Sequence, residues 1–344
     1  MANAVRRRFD WERVTDEELL SLRLCDLPVR IEGTPLEERV RRLHFELDES
    51  GLRFRPHVWL SEEWFSPDDV PGFAIPFYLT HPRLMRLERR QMLEVEGGTE
   101  RECLRIMRHE AGHAIDNAFL FRARPRWRKL FGRYNAPYPD SYQPDPTSRD
   151  FVLHLGAWYA QAHPAEDFAE TFAVWLATRD VRWRRRYEGW GALAKLEYVD
   201  RLMREAAGRA PKNRRRERVD ELSELRTTLA EHYRRKREHY SIEWPADFDR
   251  DLHRVFPASP RGAEGPTAAS FLRRRARSLV HAVARGTGLH QYTLAQLLAK
   301  VVERSKLLRL RVAGEEEEAR AAALVLLTVQ AMKVVHSGYH RIPL

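Results

Sequence analysis

The sequence predicts an α+β fold: a mostly helical domain with a small β-sheet, followed by an all-α C-terminal region. Three observations predict it. Apolar residues recur at helical spacing along much of the chain, as at Leu36, Val40, Leu43 and Leu47. Only two short runs, Phe54 to Leu60 and Phe73 to Leu79, are rich in β-favouring residues. The stretch from Thr267 to Val335 reads as three helices, separated near Gly286-Thr287-Gly288 and Gly314.

Each element has a local cause. A helix over Pro35 to Glu49 is stopped by Gly51. Between the two strand runs, Ser66-Pro67-Asp68-Asp69 and Pro71-Gly72 make a turn, and Pro76 removes a ladder donor, which puts the second run at a sheet edge. Pro82 to Glu94 reads as a helix ended near Gly97-Gly98, and Thr99 as the N-cap of a helix running through His109 to about Phe121. From Arg122 to Asp150, four prolines at 137, 139, 144 and 146 forbid a long helix, and the composition fits a lid as well as an inert connection. Pro164 suits the first turn of a helix to Ala177, with Phe168, Phe172 and Trp175 as its apolar stripe. Another helix covers Gly191 to Ala207. Gly208 to Arg218 is basic and unpatterned, a charged helix runs on to about Tyr240, and a Pro-containing stretch spans Trp244 to Pro266.

Composition narrows the class. The chain of 344 residues is 43% hydrophobic, enough for a real core. Two distant cysteines, Cys25 and Cys103, make neither a disulfide framework nor a Cys-based metal site, and no apolar run follows the arginines between Met1 and Arg13. A cytoplasmic location is expected. Ala319 to Val335 is the most apolar stretch, but Arg320, Gln330 and Lys333 interrupt it, so it reads as a buried helix and no membrane partner is expected. The net charge of +10 comes from 60 basic residues spread among 50 acidic ones, which fits an Arg-rich solvated surface better than a nucleic-acid site.

The chemistry is concentrated in Arg108-His109-Glu110-Ala111-Gly112-His113-Ala114-Ile115-Asp116. On a helix, residues i and i+4 share a face, so His109 and His113 can aim one ring nitrogen each at a single zinc ion. Glu110 then stands beside the metal for proton transfer. A third ligand must come from elsewhere. A histidine at 119 would continue one known pattern, but Phe119 is there, and Asp116 lies about 10 Å along the axis from His109, too far for bonds of about 2 Å. Asp116 is better suited to orient a ligand histidine or pair with an arginine. The helix from His163-Pro164-Ala165-Glu166-Asp167-Phe168-Ala169-Glu170 presents Glu166 and Glu170 on one face, so one carboxylate can bind zinc while the other accepts a ligand histidine's remaining N–H. Glu166 is the ligand expected; His163, near the helix end, reads as a hydrogen-bonded or capping residue and is the substitute ligand should Glu166 fail. His154 reads as a hydrogen-bonding residue.

His109-Glu110-x-x-His113 followed by Ala165-Glu166-Asp167-Phe168-Ala169-Glu170 resembles the gluzincin metallopeptidases, and within them the group of the anthrax lethal factor catalytic domain and related bacterial peptidases. The resemblance covers about residues 50 to 205. It implies a zincin-like catalytic domain, one catalytic zinc ion, and a peptide or protein substrate cleaved by Glu110-assisted attack of zinc-bound water. It makes Glu166 the third ligand and Glu170 an outer partner. Tyr159, seven positions before Glu166, falls where the group carries the tyrosine that stabilises the oxyanion. An extended substrate lies along an edge strand in such enzymes, which falls on Phe73, Ala74 and Ile75.

The domain organisation expected is therefore a zincin-like domain over 1–207, a basic linker with a charged helix over 208–265, and a helical region over 266–344. Two rivals to a peptidase remain. One is a zinc amidase acting on a modified peptide or a non-peptide amide. The other is a basic nucleic-acid-binding or adaptor protein with a vestigial zincin fold, using Arg234-Arg235-Lys236-Arg237 and Arg273-Arg274-Arg275-Ala276-Arg277. The C-terminal helices could recruit a partner protein or simply cover the core.

Overall fold

The computed structural model describes residues 10–139, 141–178, 182–242, 244, 248–258, 265–336 and 342–343. The fold is mostly helical with very little sheet. It comprises two compact units, one of Met1–Gln91, Val95–Phe121 and Arg201–Lys236, the other of Met92–Glu94, Arg122–Asp200 and Arg237–Leu344.

The first unit opens with the short helix α1 (Asp16–Leu20) and continues with α2 (Pro35–Glu49), whose bounds are those the sequence predicts. The Thr34 side chain accepts from the Leu36 N–H and Pro35 occupies the first turn, so the start of α2 is locally encoded. Leu36, Val40, Leu43 and Leu47 form its buried face, and each leucine removed from water is worth about 1.5–3 kcal/mol. Strand β1 (His57–Ser61) pairs in parallel with β2 (Gly72–Pro76), with Val58 opposite Phe73 and Leu60 opposite Ile75. Gly72 is required there, because a Cβ would lie 2.4 Å from the His57 carbonyl oxygen. The second run therefore ends as a strand at Pro76, and Phe77–Thr80 turn into a short 3₁₀ helix. Side chains of β1 hold a later piece of chain: Trp59 Nε1 donates to the Val219 carbonyl at 2.9 Å and Ser61 Oγ to that of Asp220 at 2.7 Å.

Next come α3 (Pro82–Met92) and α4 (Glu100–Phe119). Thr99 and Glu102 close a capping box at the start of α4, and Leu120, in the left-handed conformation, ends it. Two interactions fasten α4 within its unit. Arg108 grips the buried Glu46 of α2 through Nε at 2.7 Å and Nη2 at 2.8 Å. Asn117 donates Nδ2 to the carbonyls of Pro67 and Val70, each at 2.9 Å, and its Oδ1 accepts from the Asp69 N–H, so the turn before β2 is tied to the helix.

In the second unit, α5 (Pro125–Phe131) is a short helix inside the Pro-rich stretch, and β3 (Ser141–Tyr142) follows it. Helix α6 (Pro164–Ala177) has the predicted bounds, and its Phe168 ring packs against Trp127 and Phe131 of α5 at 5.8 and 5.4 Å. Helix α7 (Arg182–Arg186) and most of α8 (Ala192–Ala206) continue this unit, whereas most of α9 (Leu229–His239) belongs to the first. The remaining helices are α10 (Asp249–Val255), α11 (Ala268–Thr287), α12 (Gln291–Leu307) and α13 (Glu316–His336), and a two-residue strand, β4 (Ile342–Pro343), pairs antiparallel with β3. Phe271, Leu279, Leu297, Val301 and Leu327 belong to one buried cluster, to which α10 adds Leu252 and the residue just after the helix, Phe256. Helix α10 lies within the stretch read only as Pro-containing, where seven residues were too few for a periodic signal. Helix α13 is buried on one side, at Ala323, Leu327 and Ala331, while Val325 and Val329 are 64% and 43% exposed. The expected buried helix is thus buried on one side only. Among the described residues, no helix is long and apolar enough to cross a membrane.

Both basic runs named in the sequence are partly paired with acidic residues of the chain, one in the interior and one at the surface. Lys236 is buried between Glu63 and Glu88, each at 3.1 Å, and Arg274 and Arg275 share Glu316.

Candidate metal centre

Helix α4 sets the two histidines one turn apart. Their Nε2 atoms converge to 3.1 Å and their rings cross at 75°. His109 is buried, His113 half-buried, and Glu110, on the same turn, is buried at 7% exposure. Two neutral imidazoles gain at most one hydrogen bond from such convergence, whereas a cation would use both lone pairs.

Glu166 meets them. His109, His113 and Glu166 each offer one ligand atom, and the three atoms all lie within 4.8 Å of one another. Glu166 stands in the first turn of α6, where a carboxylate is favoured by the helix dipole. His163 is the cap of that helix: its Nδ1 accepts from the Ala165 N–H at 3.2 Å, which assigns the proton of a neutral ring to Nε2, donated to the Ala136 carbonyl at 3.0 Å. With both ring nitrogens engaged, His163 is a capping residue and does not serve as the substitute ligand.

The other named residues are placed as follows. Glu170, 1% exposed, accepts the Leu155 N–H on Oε2 at 2.7 Å and so holds the loop that leads to Tyr159. Tyr159 is half-exposed and opens the 3₁₀ turn Tyr159–Gln161, directly after Ala157 and Trp158, both in the left-handed region at φ 56 and 53°. Asp116 is buried one turn beyond His113. Phe73, Ala74 and Ile75 are fully buried, and the Ala74 N–H donates to the Phe65 carbonyl at 2.8 Å, so that part of the β2 edge is already in use. Asp167 pairs with Lys195 at 2.6 Å; burial pushes its carboxyl up, and the ammonium pulls it back.

Three residues of this neighbourhood were not singled out in the sequence. Tyr138 donates its hydroxyl to Glu166 Oε1 at 2.8 Å. Tyr142 donates to the Ala157 carbonyl at 2.8 Å, and its hydroxyl is held protonated by burial first and then by the negative charges of Glu170 and Glu166. Asn117 is the third, through its hold on the turn before β2. Only Tyr138 carried a signal: Pro137 and Pro139 flank it and restrict its backbone to extended conformations.

No curated protein and no solved structure matches this chain. Residues 84–192, which contain His109, Glu110, His113, Tyr138, Tyr159, Glu166 and Glu170, match the family model Peptidase_Mx, described as "Putative zinc-binding metallo-peptidase". The stretch that holds the His-His-Glu cluster is thus the stretch similar to a zinc metallopeptidase family.

Proposed function

We propose that this chain is a zinc-dependent peptidase of the gluzincin type, in which His109, His113 and Glu166 hold one ion and Glu110 moves the proton. The observation that carries the reading is the convergence of the three ligand atoms within 4.8 Å. The donor set suits zinc. Two imidazoles and a carboxylate are its usual catalytic ligands, and bonds of about 2.0–2.1 Å in a tetrahedron put ligand atoms about 3.3–3.4 Å apart. The two histidine nitrogens stand near that separation, at 3.1 Å. Three protein donors leave one position for water or substrate, the mark of a catalytic rather than a structural site.

When bound, zinc would supply a Lewis acid that polarises the substrate carbonyl and acidifies water. Glu110 accepts the proton of the attacking water and returns it to the departing amine. Tyr159 donates to the developing oxyanion, a contact worth about 3–4 kcal/mol in comparable sites. Glu170 and Asp116 steady the ligands. The location proposed is the cytoplasm. A zinc amidase would use the same residues, and hydrolysis of peptide libraries against small amides separates the two.

The test is zinc content after dialysis. Wild type is expected to hold stoichiometric zinc and Glu166→Ala to lose it. Full zinc in Glu166→Ala would sink the ligand assignment, and a wild type that stays empty after reconstitution would sink the zinc reading itself.

A further inference from the structure

We infer that Tyr138 is a positioning residue of the metal site, whose hydroxyl orients the Glu166 carboxylate for coordination. The inference rests on the zinc reading above and concerns a part of the chain that the motif does not reach. Tyr138 Oη donates to Glu166 Oε1 at 2.8 Å. Its ring lies flat on the His163 imidazole, with centroids 3.8 Å apart and planes 21° from parallel. The same imidazole holds the Ala136 carbonyl at 3.0 Å. Three contacts therefore fasten the 136–138 segment to the first turn of α6. One of them ends on the ligand, and the other two end on the residue that caps the ligand's helix.

Glu166 is 4% exposed, so water does little to satisfy its carboxylate or to fix its orientation. A phenol that donates to one oxygen restricts rotation of the group and leaves the other oxygen as the natural donor to an ion. Such outer partners commonly tune metal affinity by about 10–100-fold. Tyr138 is itself 52% exposed. Burial of its ring is therefore not what its hydroxyl serves. If the stack on His163 were its whole contribution, phenylalanine would do as well. The hydroxyl is what distinguishes the two readings.

The experiment compares wild type, Tyr138→Phe and Tyr138→Ala. Each is titrated with zinc against a chromophoric chelator, the visible spectrum of the cobalt-substituted form is recorded, and thermal unfolding of the metal-free proteins checks the fold. Tyr138→Phe keeps the ring stack, and it is expected to weaken zinc binding by about 10–100-fold and to shift the cobalt bands. Tyr138→Ala should be at least as weak. Zinc affinity and cobalt bands in Tyr138→Phe equal to those of wild type would overturn the inference. So would a loss seen only in Tyr138→Ala, since the stack alone would then carry the effect. A wild type without metal removes the zinc reading and this inference together, whereas a metal-binding wild type with an indifferent Tyr138→Phe removes this inference alone.

Discussion

Helix α4 and the segment between α5 and α6 hold their functional residues by different means. In α4 the spacing of His109, Glu110 and His113 follows from the helical repeat, and the helix is begun by its own capping box. Between Gly132 and His163 little regular structure fixes any side chain. Tyr138 is placed by a carboxylate 28 residues away, Tyr142 by the Ala157 carbonyl, and Leu155 by Glu170. Two successive non-glycine residues there, Ala157 and Trp158, take left-handed conformations that cost roughly 1–2 kcal/mol each. That strain persists only because side chains from other elements hold the backbone, as Tyr142 and Glu170 do. The helix can therefore lose a side chain and keep its geometry, while the segment loses geometry with each bond removed.

The largest expected effect tests the helix side of this contrast. Glu110→Gln keeps shape and metal and removes the proton acceptor, so turnover should fall by about 10²–10⁴-fold at unchanged zinc content. Steady-state kinetics on a cleaved peptide beside elemental analysis checks it, and lost zinc would mean that the backbone of α4 does not by itself hold the ligands. Smaller is the effect of Tyr142→Phe in the segment. It leaves the Ala157 carbonyl without its donor and releases the left-handed pair, for about 1–3 kcal/mol of stability in urea unfolding. A neutral result would show that Glu170 alone suffices to hold that loop. Smallest is Thr99→Ala, which removes the cap of α4 and should cost about 1 kcal/mol in the same assay while zinc affinity stays at the wild-type level. If this remote, exposed change weakened zinc binding, α4 would be no more self-sufficient than the segment.

Legibility in the sequence follows the same division. Helices α2 and α6 have the bounds the sequence predicts because each start is marked locally, by Thr34 and Pro35 in one and by His163 and Pro164 in the other. The strand expected over Phe73 to Leu79 stops at Pro76, where the chain turns into a 3₁₀ helix that β propensity does not reveal. Short helices α5, α7 and α10 were unreadable, since five to seven residues span too few turns to show a period. At the site, the i, i+4 histidines and the glutamate pair four apart were visible as patterns. Tyr142 and Asn117 were not, because their partners are backbone carbonyls, which carry no residue code.

By itself the sequence determined which residues could act as ligands and proton acceptor, and that His109, Glu110 and His113 would share one helical turn. Helical geometry depends on neighbours within four positions, so a short string suffices to specify it. Only the tertiary structure decided that Glu166 lies with the two histidines, that His163 Nε2 reaches the Ala136 carbonyl, and that Tyr138 reaches the Glu166 carboxylate. Those contacts join residues far apart along the chain. Such distances are set by packing of whole elements, and no local pattern encodes them.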